Sequence, residues 1–204
     1  MKSFVSTLAL AAGLAAFGGF AHAQQIDNNQ RNNTNIRAQL NATISEVTGD
    51  VSATSASIAN SFTAEGSSLA TLNNYQNFWG DSRSGLNATI SNVTGDVSAT
   101  SAAIANSASI DVDWATNINN TQLAGYDPSA ALNSTITTVV GDVSQTSAAL
   151  SNSASIEADF GRVASTQINM AAVNADMTTT VRNVRGAVTA TSAAIGNSLT
   201  VTGF

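Results

Sequence analysis

The 204-residue chain carries seven Lys and Arg against thirteen Asp and Glu, a formal net charge of −6, and only 10% of its residues are charged while 43% are apolar. Excess negative charge repels a phosphate backbone, which argues against nucleic acid as a partner. With no Cys in the chain, disulfides, thiolate chemistry and lipid anchoring through an N-terminal Cys are all excluded.

The first element is a leader. Met1-Lys2 precedes an apolar stretch from Phe4 to Phe20 and then Ala21-His22-Ala23, the charged, apolar and small-residue regions of a secretory signal peptide. The stretch is short for a membrane span and is broken by Gly13, Gly18 and Gly19. Cleavage is therefore expected after Ala23, leaving residues 24–204 as a single elongated repeat domain with no membrane span. Lys2 and His22 leave with the leader. The six Arg and thirteen acids that remain give −7, with no imidazole or Lys amine. Serine-triad hydrolysis, cysteine nucleophiles, Schiff bases and Zn sites on His or Cys fail on inventory. The chain is not expected to be an enzyme, and no catalytic, metal or cofactor-binding residue is assigned.

The mature chain then repeats itself. Segments 40–62, 86–108, 132–154 and 177–199 align, with shared glycines at Gly49, Gly95, Gly141 and Gly186, spaced 46, 46 and 45 residues apart. Repeats of this length mark units that bury their apolar faces only by stacking on one another.

Two periods compete within each copy. Leu40, Ile44, Val47, Val51, Thr54 and Ile58 step as a heptad seam. However, the flanking Glu/Lys pairs are missing, a Gly interrupts every copy at about 1 kcal/mol relative to Ala, and 46 is not a whole number of heptads. The strand reading accounts for more residues. Thr100, Ala102, Ile104, Asn106, Ala108, Ile110, Val112, Trp114, Thr116 and Ile118 form one alternating set. Against it stand the small, polar or acidic Ser101, Ala103, Ala105, Ser107, Ser109, Asp111, Asp113, Ala115 and Asn117. Gly49-Asp50, Gly95-Asp96 and Gly141-Asp142 supply a positive-φ residue and a turn former at each corner. The predicted fold is all-β: a repeat β-solenoid, parallel β-helix-like, of about four 46-residue repeats, each dividing into two stacking halves of roughly 23.

The more variable half-units carry Asn/Gln-rich stretches at Asn28–Asn35, Leu72–Asn77, Asn117–Gln122 and Thr166–Met170. Asn60, Asn106, Asn152 and Asn197 fall between aliphatic neighbours, so they either hydrogen-bond along the stack as a ladder or occupy corners, where Asn tolerates positive φ.

Surface candidates are few. The acid pairs Asp111/Asp113 and Glu157/Asp159 share a strand face as hard-cation oxygens would, but they read more simply as solvated charges that discourage aggregation. The turn acids Asp50, Asp96 and Asp142 read the same way. Among Tyr75, Phe78, Trp79, Trp114 and Tyr126, Trp114 lies on the apolar parity and is expected to pack. Tyr75–Gly80 breaks alternation, is expected to be a loop, and is the best single recognition patch. Arg31, Arg37, Arg162, Arg182 and Arg185 cluster towards the two ends, as polar caps or as docking points for another copy. Asn-x-Thr triplets such as Asn41-Ala42-Thr43 follow from the repeat.

An acidic, Cys-free chain of Asn/Gln/Ser-rich units, with runs such as Ala193-Ala194-Ile195-Gly196-Asn197-Ser198-Leu199, resembles the curlin-type and holdfast-anchor-type surface proteins of Gram-negative bacteria. The curlin unit is shorter and keeps a Gln-x-Gly-x-x-Asn pattern that these repeats lack. The resemblance implies a β-solenoid or fibre secreted to the extracellular space or outer cell surface for adhesion or matrix attachment. Its partners would be other copies of itself, as a homopolymer, and surface polysaccharide or outer-membrane components. The alternative is a carbohydrate- or ice-binding solenoid module, although Thr54, Thr100, Thr146 and Thr191 give only one Thr per repeat where ice binding favours Thr-x-Thr rows.

Overall fold

A computed structural model describes residues 24–203; the expected signal peptide, residues 1–23, lies outside the described residues. Ten strands follow in order, with no helix among the described residues: β1 (Gln25–Asn32), β2 (Ile36–Val47), β3 (Val51–Gly66), β4 (Leu69–Phe78), β5 (Ser82–Val93), β6 (Val97–Ala124), β7 (Ser129–Val139), β8 (Val143–Asn169), β9 (Asn174–Val184) and β10 (Val188–Thr202). One sheet runs β1-β4-β6-β8-β10, with β3 also on β6; the other runs β2-β5-β7-β9. Every pairing is parallel.

The register follows the sequence repeat. Leu40 lies opposite Leu86 and Leu86 opposite Leu132, an offset of 46, while Leu132 lies opposite Met177, an offset of 45. Like therefore sits beside like, and each conserved repeat position becomes a column running across the strands. The expected half-units of 23 do not stack on each other. The long strand β6 pairs through its first part with β3 and through its second part with β4, so the whole 46-residue unit is the pairing period.

The largest apolar cluster lies between the two sheets, where Leu86, Ile90, Leu132 and Ile136 meet Val97, Ala99 and Val143. A second cluster, around Leu72, Ile110, Ile118 and Ile156, fills the space between the two halves of the bent first sheet. A smaller cluster is built of small side chains, Ala103, Ala130 and Ala149. Serine also lies inside: Ser101 Oγ donates to Ser84 Oγ at 2.9 Å, and Ser84 Oγ donates to the Ser55 carbonyl at 2.7 Å. A buried hydroxyl is tolerated when it is hydrogen-bonded in this way.

This narrow interior corrects the predicted faces. From Val97 to Ala105 the inward set is Val97, Ala99, Ser101, Ala103 and Ala105, while Thr100, Ala102 and Ile104 are half-buried on the outer side. At Ala105-Asn106 two successive residues are buried and the parity flips, so that Asn106, Ala108, Ile110 and Val112 point in. The pairing register skips the same position in each neighbour: Ile58 and Asn60 face Ile104 and Asn106, with Ala59 and Ala105 left out. A second irregularity falls between Trp114 and Asn117. Trp114, expected in the core, is 52% exposed, and Ala115 takes the interior place.

The corners are also built differently from expectation. Of the four shared turn glycines only Gly49 has positive φ, at 121°. The left-handed residues are Glu46, Asn92, Thr138 and Asn183, with φ between 55° and 58°, one near the end of each strand of the second sheet. The turn glycines are required by close approach instead. A Cβ at Gly141 would meet Asp96 Oδ1 and the Gly95 carbonyl carbon and oxygen, and Gly95 and Gly186 meet the corresponding atoms of their own neighbours. Gly141→Ala is accordingly expected to lower stability by about 2–3 kcal/mol, because backbone would have to move. Gly66→Ala, where a Cβ meets nothing within 4 Å, serves as the control in a urea titration.

Candidate functional site

The columns form ladders on several faces. Asn60 Nδ2 donates to Asn106 Oδ1, Asn106 Nδ2 to Asn152 Oδ1, and Asn152 Nδ2 to Asn197 Oδ1, each at 2.8 Å. The ladder alternative is the one the structure contains. Asn106 is fully buried, and its amide also donates across the interior to the Leu123 carbonyl at 2.8 Å.

The Asn/Gln-rich stretches hold ladders that the sequence reading did not assign. Gln167 Nε2 donates to Gln122 Oε1, Gln122 Nε2 to Gln76 Oε1, and Gln76 Nε2 to Gln30 Oε1, at 2.8–2.9 Å. Each of these amides has a second backbone acceptor 31 residues further on, as Gln122 has in Ser153 O. Asn28, Asn74 and Asn120 make another such column. The signal was available in the sequence as the recurrence of amide side chains at the 46-residue spacing.

The turn acids do more than remain solvated. Asp50 Oδ1 accepts from the Asp96 N–H, Asp96 Oδ1 from the Asp142 N–H, and Asp142 Oδ1 from the Ala187 N–H, at 2.8–2.9 Å. Each carboxylate thus holds the next turn. Among the described residues Ala187 occupies the last position of this column and has no carboxylate. Asp27, in β1, receives bonds from Asn73 Nδ2 and Gln25 Nε2, and these hold its carboxyl below the ordinary carboxylate range.

The outer surface carries the remaining candidates. Asp111, Asp113, Glu157 and Asp159 are exposed, as expected of solvated charges. Among the described residues no group of three or more acid or His side chains is placed to hold a metal ion. Tyr75–Phe78 lies in β4 rather than in a loop, and Phe78 is completely buried. The turn that follows leaves Trp79 41% exposed, edge-on to Tyr126 with ring centroids 6.1 Å apart. Arg31 sits 5.5 Å from the centre of the Tyr75 ring. Of the other basic residues only Arg83 is paired with an acid among the described residues, at 2.9 Å from Asp81. Thr54, Thr100, Thr146 and Thr191 do form one column. A second outward pair of columns, Asn41/Asn87/Asn133 beside Thr43/Thr89/Thr135, follows the Asn-x-Thr triplets, and the Asn amides are tied to one another at 2.7 and 3.0 Å.

Trp114 and Phe160 stand apart from these ladders. They are paired in register on neighbouring strands β6 and β8, and are 52% and 67% exposed. Simple alternation from Ile110 and Ile156 would turn both inward. Leaving each ring outside forgoes about 2–3 kcal/mol of burial. Gly161, with φ 136°, lets β8 pass the Ala115 carbonyl while Phe160 faces out, since a Cβ there would collide with that oxygen.

A surface built on columns of like residues is the setting in which the comparisons with known proteins are informative. A family model described as holdfast attachment protein D matches residues 46–204. The chain belongs to that family. Membership in the holdfast attachment protein D family gives it an adhesion-related, cell-surface role. The matched span takes in β3 to β10, and with them every column position discussed above except those on β1 and β2. No curated protein and no solved structure matches the chain.

Proposed function

We propose that the chain is an exported β-solenoid whose 46-residue units are stacked turns, that it acts mechanically rather than catalytically in cell-surface attachment, and that it extends by adding copies of itself end to end. The observation that carries this reading is the polarity of the ladders. Donation along the Asn column runs from Asn60 towards Asn197, so Asn60 is its acceptor end and Asn197 its donor end. Donation along the Gln column runs the opposite way, from Gln167 towards Gln30. A head-to-tail copy that brings its Asn60 and Gln30 against Asn197 and Gln167 continues both ladders at once. In the first sheet β1 and β3 are unpaired on one side at one end, and β10 and the second part of β8 at the other; with β2 and β9 of the second sheet they offer unpaired backbone groups to the same copy. Rigidity then comes from backbone ladders running along the fibre, as in other stacked parallel strands.

Electron microscopy of the purified mature chain at rising concentration is expected to show unbranched filaments one chain wide. Fibre diffraction should give an axial reflection near 4.8 Å. A chain that stays monomeric at high concentration across a salt series would remove the end-to-end step and leave a monomeric surface adhesin. N-terminal sequencing of surface-released protein should begin at Gln24.

A further inference from the structure

We propose that the joint between two copies of this chain is selected by a charge latch, in which Arg162, Arg182 and Asp176 at the last turn of one copy engage Asp27, Glu46 and Arg37 at the first turn of the next. The inference rests on the end-to-end reading above and deepens it, by naming what fixes the register of the incoming copy and what controls assembly. The last turn is an uncovered cross-section of the core. Val188 is 49% exposed and Leu199 46%, whereas Val143 and Ala154, their counterparts one turn earlier, are 1% and 3% exposed. Carried one step further, the chain's own pairing seats Leu40, Ile44 and Val51 of an incoming copy on Met177, Val181 and Val188. Like meets like, and the apolar columns continue. These columns are alike in every repeat, so something else must single out the two ends.

The carrying observation is where charge enters columns that are otherwise neutral. In the column Ser45, Ser91, Thr137 and Arg182 only the last position is charged, and the same holds for Gln25, Thr71, Asn117 and Arg162. Asp176 likewise closes the neutral column Gln39, Gly85 and Ala131. In Asp27, Asn73, Asn119 and Ala164 it is the first position that is charged. Glu46 opens the row of left-handed residues that continues through Asn92, Thr138 and Asn183. In the continued register Asp27 of the incoming copy lies opposite Ala164 and diagonal to Arg162, and its Arg37 lies opposite Asn174 and diagonal to Asp176. Its Glu46 falls beside Asn183, next to Arg182. Diagonal neighbours across strands are about 7–8 Å apart, within reach of an Arg side chain. All six of these side chains are exposed, and among the described residues none of them is in an ion pair. Exposed pairs add little affinity each, but opposite signs at matching places set register and speed encounter, while a slipped register forfeits them.

The test uses the mature chain and two charge-reversed variants. One carries Arg162→Glu with Arg182→Glu, the other Asp27→Arg with Glu46→Arg. The altered side chains are exposed, so thermal midpoints are expected to match the wild type. Light scattering and electron microscopy give the lowest concentration at which filaments form. Each variant alone should need about tenfold more protein than the wild type, and the wild-type threshold should rise with ionic strength. Mixed in equal amounts, the two variants are expected to form filaments in which they alternate, because each reversed end then meets the opposite charge. Either variant assembling alone at the wild-type threshold would overturn the latch and leave filaments held by the backbone and amide ladders only. A mixture that assembles no better than its parts, with both midpoints unchanged, would overturn it as well. These two results refute the latch while the end-to-end reading stands. A wild type that forms no filaments at any ionic strength refutes both, and leaves the uncovered last turn to a different protein.

Discussion

Asn106→Leu is expected to lower the stability of the chain by about 3–5 kcal/mol, among the largest effects of any conservative-volume change in it. Asn106 is completely buried and occupies an inner place in the amide column. Leucine removes the acceptor for Asn60 Nδ2 and the donor to Asn152 Oδ1 and to the Leu123 carbonyl. Those three groups stay in the interior, and each unsatisfied buried polar group costs about 1–3 kcal/mol. Asn197→Leu changes the exposed last position of the same column. It removes one acceptor for Asn152 Nδ2, which keeps its bond to the Ile168 carbonyl at 2.9 Å, so its cost should be below about 1 kcal/mol. Urea midpoints of the two variants decide the matter. Equal shifts would show that the column is not an interior element.

The second large effect separates two isoleucines of β6. Ile104 and Ile110 have the same parity, and uninterrupted alternation would place both on one face. The flip at Ala105-Asn106 turns Ile110 into the cluster with Leu72, Ile118 and Ile156 and leaves Ile104 half-buried outside. Ile110→Asp puts a carboxylate into an apolar site with no basic partner and should destabilise by more than about 4 kcal/mol, enough to unfold a marginal chain. Ile104→Asp leaves its charge in reach of water and should cost no more than about 1 kcal/mol. Circular dichroism melts of the pair read the difference. Comparable losses would return the strand to a single continuous face.

The sequence by itself determined the period, the strand content and the pairing. A 46-residue recurrence of the same side chains is also a register, because parallel strands related by a repeat place each residue beside its own copy; Leu40 beside Leu86 and Asn60 beside Asn106 were therefore legible without a structure. The ladder at Asn60–Asn197 was legible for the same reason, as one of two alternatives. The tertiary structure alone decided which face is inside. Ala, Ser and Thr alternate through Val97–Ala105 with little contrast in polarity, so the pattern carried no strong direction, and the narrow space between the walls selects by volume. Small Ser101, Ala103 and Ala105 fit inward, while the larger Ile104 is left on the outside. The parity breaks at Asn106 and Trp114 likewise belong to the bending of one long strand around two cores. Alternation read along a sequence assumes that a strand keeps one face to one core, and here a single strand serves two.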